Sequence, residues 1–350
     1  MTMNGINYII TILGTISCLL SCEVDESQYL EKASNPAHLH KAQKMLTDVM
    51  IHDIFSPPVA SRIYVYSSIA AYETMVSGNP DFISLAGQLT ALDKIPSPNK
   101  DHQICFPVAA VHAYVTVGTR LIFSEDKMDD FISEMHKTYK EAGVPQGVLN
   151  QSKKYGEEVA NHIIAWADKD NYKQTRTFPK YSIDEDATRW QPTPPAYMDA
   201  VEPSWNKIRP FIMERADQFA PPPPTPFSSE VNSQFYKEAM EVYNLSNDSI
   251  SVEEKKDIAS FWDCNPFVSH FSGHVMFATK KISPGGHWIG ITGIAAEKAK
   301  LSFSETAYIH ALVGMSLHDS FVSCWKAKYE TNRIRPETVI NQKVDSSWKP

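Results

Sequence analysis

The 350 residues contain no Walker loop, no GxGxxG and no CxxC pair. These absences remove the common phosphate-cradling nucleotide sites and the paired-thiolate metal sites. No repeat of fixed period is visible, which excludes helical solenoids and propellers. Positive charge is in deficit, with 33 Lys and Arg against 41 Asp and Glu and a net charge of −8. A general nucleic-acid binder needs a basic stripe, so no nucleic-acid partner is expected. No alternating strand pattern stands out, and the expected fold class is all-α. What is present suits a globular protein: 43% hydrophobic residues, and 23 prolines that suggest long ordered loops.

The first 22 residues carry no charged side chain. Ile9 to Leu20 form an apolar run of signal-peptide length, short for a membrane span. It ends at Leu19-Leu20-Ser21-Cys22, which resembles the lipobox of bacterial lipoproteins, although no Lys or Arg precedes the run. The resemblance implies that residues 1–21 are a signal peptide and that Cys22 is acylated. The protein would be exported and held to the outer membrane by its lipid, on the periplasmic or cell-surface face. Glu23, Asp25 and Glu26 resemble the acidic start of surface-directed lipoproteins of the Bacteroidetes type. An uncleaved N-terminal anchor is the other reading of the same run. Cys105, Cys264 and Cys324 would remain, an odd set without close spacing, so neither a disulfide framework nor a thiolate metal site is expected.

Residues 22–38 read as a tether and 39–168 as an N-terminal helical bundle. Apolar stripes and stop signals mark its helices: one ending before Ser56-Pro57-Pro58, one ending at Gly78, Ala109 to Phe123, a helix after Ser124 stopped by Gly143, and Val148 to Trp166. Residues 79–103 read as a loop. Residues 169–228 hold too many prolines for regular elements, and Trp190, Trp205, Phe211 and Phe219 suggest that they pack across the body. Residues 229–350 read as the start of a second bundle. Ser251 with Glu254, and Ser302 with Glu305, have capping-box spacing.

The second capping box opens a helix that should run through Tyr308, Leu312, Met315, Phe321 and Trp325. At 100° per residue, Lys328 lies within about 60° of Gly314, Leu317 and Phe321. It is therefore expected to point inward, where an ammonium needs a counter-charge. Lys326 lies about 160° away and is expected to be solvated. Pro336 keeps Arg335 extended and suits the first position of a new helix, whose N-terminus favours an anion. Lys328 and Arg335 would thus converge on one tetrahedral oxyanion.

The segment SLHDSFVSCWKAKYETNRIRPETVI, residues 316 to 340, resembles the first active-site motif of the vanadium-dependent haloperoxidase and type 2 phosphatidic acid phosphatase superfamily. PPVASRIYVYSSIAAYE, RWQPTPPAYMDAVEPSWNKIRPF and FWDCNPF…PGGHWIGI resemble its soluble bacterial branch, in the family's order. The resemblance implies a pair of helical bundles in which Lys328 and Arg335 hold vanadate or phosphate. It also implies peroxide and halide, or a phosphate ester, as substrates. The family's second motif, Pro-Ser-Gly-His, and its third, Ser-Arg followed by His, do not follow Arg335 in these 350 residues. Ser272-Gly273-His274 and Pro284-Gly285-Gly286-His287 look like the second motif but precede Lys328, and the latter has Gly for Ser. No catalytic residue is therefore assigned. The expected second bundle is incomplete, the chain a C-terminally truncated one without turnover. A metal site from His310, His318 and Asp319 is the lesser reading of those residues; none is assigned. The functional alternative is a non-enzymatic helical surface lipoprotein that binds glycan or protein.

Overall fold

The computed structural model describes residues 26–247, 252–272 and 275–349. Cys22 with its signal run, Ser251, and Gly273-His274 lie outside the described residues. The helices are α1 (Glu26–Ala33), α2 (Ala37–His52), α3 (Pro57–Val76), α4 (Phe106–Leu121), α5 (Asp129–Glu141), α6 (Gln146–Ala167) and the single turn α7 (Tyr172–Thr175). After a long connection come α8 (Gln234–Asn247), α9 (Val252–Trp262), α10 (Pro284–Lys298), α11 (Phe303–Thr331) and α12 (Pro336–Lys343). None of the described helices is long and apolar enough to cross a membrane.

The fold is helical, as expected, with one addition. Strands β1 (Phe267–Ser272) and β2 (Val275–Lys280) pair antiparallel, Phe267 opposite Lys280 and Ser272 opposite Val275.

Helix α3 is the centre. Pro57 occupies its first position, where no amide hydrogen bond is lost. Every residue from Pro58 to Met75 is buried, the mark of a helix enclosed on all sides. Helices α4 and α11 pack along it, and α6 packs on α4. Two close approaches need glycine. A Cβ at Gly156 of α6 would stand 2.4 Å from the Ala109 carbonyl oxygen of α4, and one at Gly314 of α11 would stand 3.1 Å from Val65 Cα.

One hydrophobic core runs from Tyr29 to Val322, so α10 and α11 share it with the N-terminal helices. A small second cluster, Phe235, Ala239, Ile334 and Val339, joins α8 to α12.

The connection 169–228 packs across this body by Trp205, Ile208, Phe211 and Met213, all buried. Phe219 does not join them: it is 72% exposed and turns into a surface groove.

Candidate functional site

Helix α11 carries the site. Its start is the full capping box: Ser302 Oγ accepts from the Glu305 amide at 3.3 Å, and Glu305 Oε2 accepts from the Ser302 amide at 2.7 Å. Its end is Asn332 in the left-handed region at φ 44°, with its amide donating to the Lys328 carbonyl at 3.2 Å. The connection holds this end in place. The Trp190 amide donates to the Asn332 carbonyl at 3.1 Å, and Tyr181 Oη donates to Asn332 Oδ1 at 2.9 Å. Trp325 Nε1 and Tyr329 Oη both donate to the Val201 carbonyl, at 2.9 and 2.6 Å.

The basic side chains of residues 326 to 335 divide two and two. Lys326 pairs with Glu330 one turn on. Arg333 bonds Glu238 at 3.0 Å and the Thr225 carbonyl at 3.1 Å. The side chains of Lys328 and Arg335 have neither hydrogen bond nor ion pair among the described residues. Both are exposed.

The expectation that Lys328 points inward and Lys326 outward is therefore corrected: Lys326 is the more sheltered. The apolar stripe of α11 is buried only as far as Val322, and beyond it no described element covers the flank that bears Lys328. The Lys328 ammonium lies over the Trp325 ring, 4.6 Å from its centroid, and 5.8 Å from that of Tyr329. Removal from water by these rings, then the charge of Arg335, push its pKa below the usual lysine value. The Arg335 charge also reaches Tyr329. Arg335 sits, as expected, in extended conformation at the N-cap of α12 with Pro336 next.

A groove of about 1010 Å³ runs along α11 beside Lys328. Ser316, Ser320, Ser323 and Ala327 form its floor, and Phe219 with the run Pro221 to Pro224 forms its wall. Asp319 anchors that wall. Its carboxylate accepts the amides of Phe211 at 2.7 Å, Ile212 at 2.7 Å and Met213 at 2.8 Å. Burial pushes the Asp319 carboxyl up, against the pull of those three amides.

His318 is fully buried among Trp205 and Phe211. His310 packs instead against His40, ring centroids 5.6 Å apart. His310, His318 and Asp319 thus serve three separate contacts. His40 is a packing residue. Pro284-Gly285-Gly286-His287 opens α10, where Ser283 Oγ caps the Gly286 amide.

No family model matches the sequence, and neither does any curated protein. Among solved structures, the chain is similar to the crystal structure of the first bacterial vanadium-dependent iodoperoxidase, with a TM-score of 0.83 and 48% identity over 90% of this chain and 74% of that one. An apo-type bacterial vanadium-dependent chloroperoxidase matches with a TM-score of 0.53 and 14% identity, over 82% of this chain and 66% of that one, a likeness of fold alone.

Proposed function

From the premise that this chain belongs to the vanadium-dependent haloperoxidase superfamily, we propose that Lys328 and Arg335 are ligands of a vanadate oxyanion. The carrying observation is the two-and-two division of the basic run: Lys326 and Arg333 have carboxylate partners, Lys328 and Arg335 have none among the described residues. Two neighbouring cations without a counter-ion repel each other, and a tetrahedral oxyanion relieves the repulsion. Lys328 offers a point charge with three donors, and Arg335 a planar fork that can take two oxygens. The first amides of α12 add donors beside Arg335. The donor set therefore fits the group in part, as one side of a cradle.

Vanadate, when bound, supplies an electrophilic centre at which peroxide becomes able to oxidise a halide. The chain's own residues bind and orient. Lys328 and Arg335 neutralise oxyanion charge. Trp325 and Tyr329 fix the Lys328 stem and keep water from one side of its ammonium. Asn332 and the Val201 carbonyl hold the end of α11 at a set distance from α12. None of these groups is an imidazole that could bond vanadium or carry a proton at the oxyanion; their part is binding and orientation. The protein is exported and acylated at Cys22 in this reading, which mass spectrometry of the mature chain decides; an unprocessed N-terminus rejects it.

Calorimetric titration with orthovanadate, and with phosphate as its isostere, tests the site. Each charge-assisted contact is worth about 1.5–3 kcal/mol, so Lys328→Ala or Arg335→Ala should weaken binding about 10- to 100-fold. Lys326→Ala should leave it within about two-fold, since an exposed i, i+4 pair contributes little. Equal loss from all three variants would reduce the effect to general charge and remove the proposal.

A further inference from the structure

Cys264 and His287 form a pair that the oxyanion site does not use. Cys264 follows α9 in the turn that leads to β1, and His287 lies in the first turn of α10. The Cys264 sulfur and His287 Nδ1 are 2.9 Å apart. We propose that Cys264 is an oxidisable thiol with His287 as its base, a modification site for hydrogen peroxide and other small hydroperoxides.

The geometry supplies what a thiol of this kind needs: a base within hydrogen-bond reach, held by a third group. The His287 ring lies tilted against Trp262, centroids 5.4 Å apart at 33°, and packs edge to face with Phe261, centroids 5.3 Å apart. These contacts fix the imidazole plane and aim Nδ1 at the sulfur. The turn lies at the surface: Asn265 is exposed, and Cys264 keeps 8% exposure. A peroxide can reach such an atom where a bulky reagent cannot. The charged groups around the pair are Asp263 and Lys281, joined to each other at 2.6 Å.

Burial and then the Asp263 charge push the Cys264 thiol up, and Lys281 pulls it down. The resting form is therefore the neutral thiol donating to Nδ1, and reaction requires the proton to move. As the sulfur attacks one peroxide oxygen, an S–O bond forms and the O–O bond breaks. The thiol proton passes to Nδ1 and then to the departing hydroxide, which leaves as water. The sulfur is oxidised by two electrons to a sulfenic acid and the peroxide is reduced. The other described thiols lack such a base. Cys105 is buried with its thiol pushed up to about 11, and Cys324 is exposed on the floor of the groove near Lys328.

The test is the full chain treated with hydrogen peroxide in the presence of dimedone, with labelling at Cys105, Cys264 and Cys324 followed separately by peptide mass spectrometry. Cys264 should label at least about ten-fold faster than Cys105, as expected for a thiol with a positioned base. His287→Gln should slow Cys264 at least about ten-fold and leave Cys324 unchanged. Protection of Cys105 reports that the variant remains folded; if it does not, the ratio of the Cys264 to the Cys105 rate in the wild-type chain decides. Labelling of Cys264 at the Cys105 rate, or a folded His287→Gln chain with an unchanged Cys264 rate, overturns the proposal.

Discussion

Lys326 and Lys328 differ by two positions and carry the same charge, yet one has Glu330 and the other has only aromatic rings beside it. The same contrast, between a charge that is matched and one that is not, bears on a buried ion pair. Arg62 and Asp170 are both buried and bond at 2.6 Å. Asp170 also accepts from Tyr66 Oη at 3.0 Å and from the Tyr172 amide at 2.9 Å, while Arg62 reaches the Ala167 carbonyl at 3.1 Å. The two charges of this pair match each other, and the network joins α3 to the start of the connection. Removing one partner leaves the other charge buried and uncompensated, which costs about 3–5 kcal/mol. Asp170→Asn should therefore lower the urea unfolding free energy by about that amount. A double variant, Arg62→Met with Asp170→Leu, should recover much of the loss, because neither charge of the pair remains to be desolvated. A double variant as unstable as the sum of its singles would show that the pair itself, rather than its charge balance, holds the junction.

Elements whose signals are local were legible in the sequence. Ser302 with Glu305, and Pro336, start helices for reasons contained in a few residues, and both starts are observed. Gly143, at φ 97°, ends the segment after α5 as its position suggested. Helix α10 was less visible, since PGGHWIGITGIAAEK carries glycine at 285, 286, 290 and 293. Each costs about 1 kcal/mol of helix propensity relative to alanine. Packing against α11 and α3 overrides that cost, and at Gly293 the absence of a side chain lets His40 Nδ1 approach to 3.2 Å of where a Cβ would stand. The β1–β2 hairpin was hidden because FVSHFS and VMFATK do not alternate apolar and polar residues. For the site, the choice of Lys328 and Arg335 came from phase and from a proline. The direction of Lys328 did not, because the stripe ceases to be covered after Val322 and periodicity carries no information about what lies opposite a helix. The partners of Lys326 and Arg333 were partly readable: Glu330 is one turn away, but Glu238 is 95 residues upstream.

At the scale of the molecule, the continuous core encloses imidazoles in their neutral form. Burial lowers the pKa of His310 and His318 to about 3 and of His112 and His136 to about 4. In the unfolded chain all four titrate near about 6.5. Between those values the unfolded state binds more protons than the folded one, so stability is full above about pH 6.5 and declines as pH falls towards about 4 and then about 3. Glu73 and Asp319, whose carboxyls burial pushes up, act in the opposite sense. His112 on α4 and His136 on α5 are the pair to test, since their ring centroids lie 5.6 Å apart beside Lys153 and neither sits on α11 or in the groove. Protonating either brings a charge towards the other and towards that lysine. In urea unfolding, the wild-type chain should lose stability between about pH 7 and about pH 5. His112→Gln should lose less over the same interval, by on the order of 1–2 kcal/mol from linkage at this one group. Comparing two slopes in one buffer series cancels the change in net charge common to both chains. Parallel slopes for wild type and variant would mean that His112 is hydrated well enough to accept its proton in the folded state, and that the acid sensitivity lies with the other buried imidazoles.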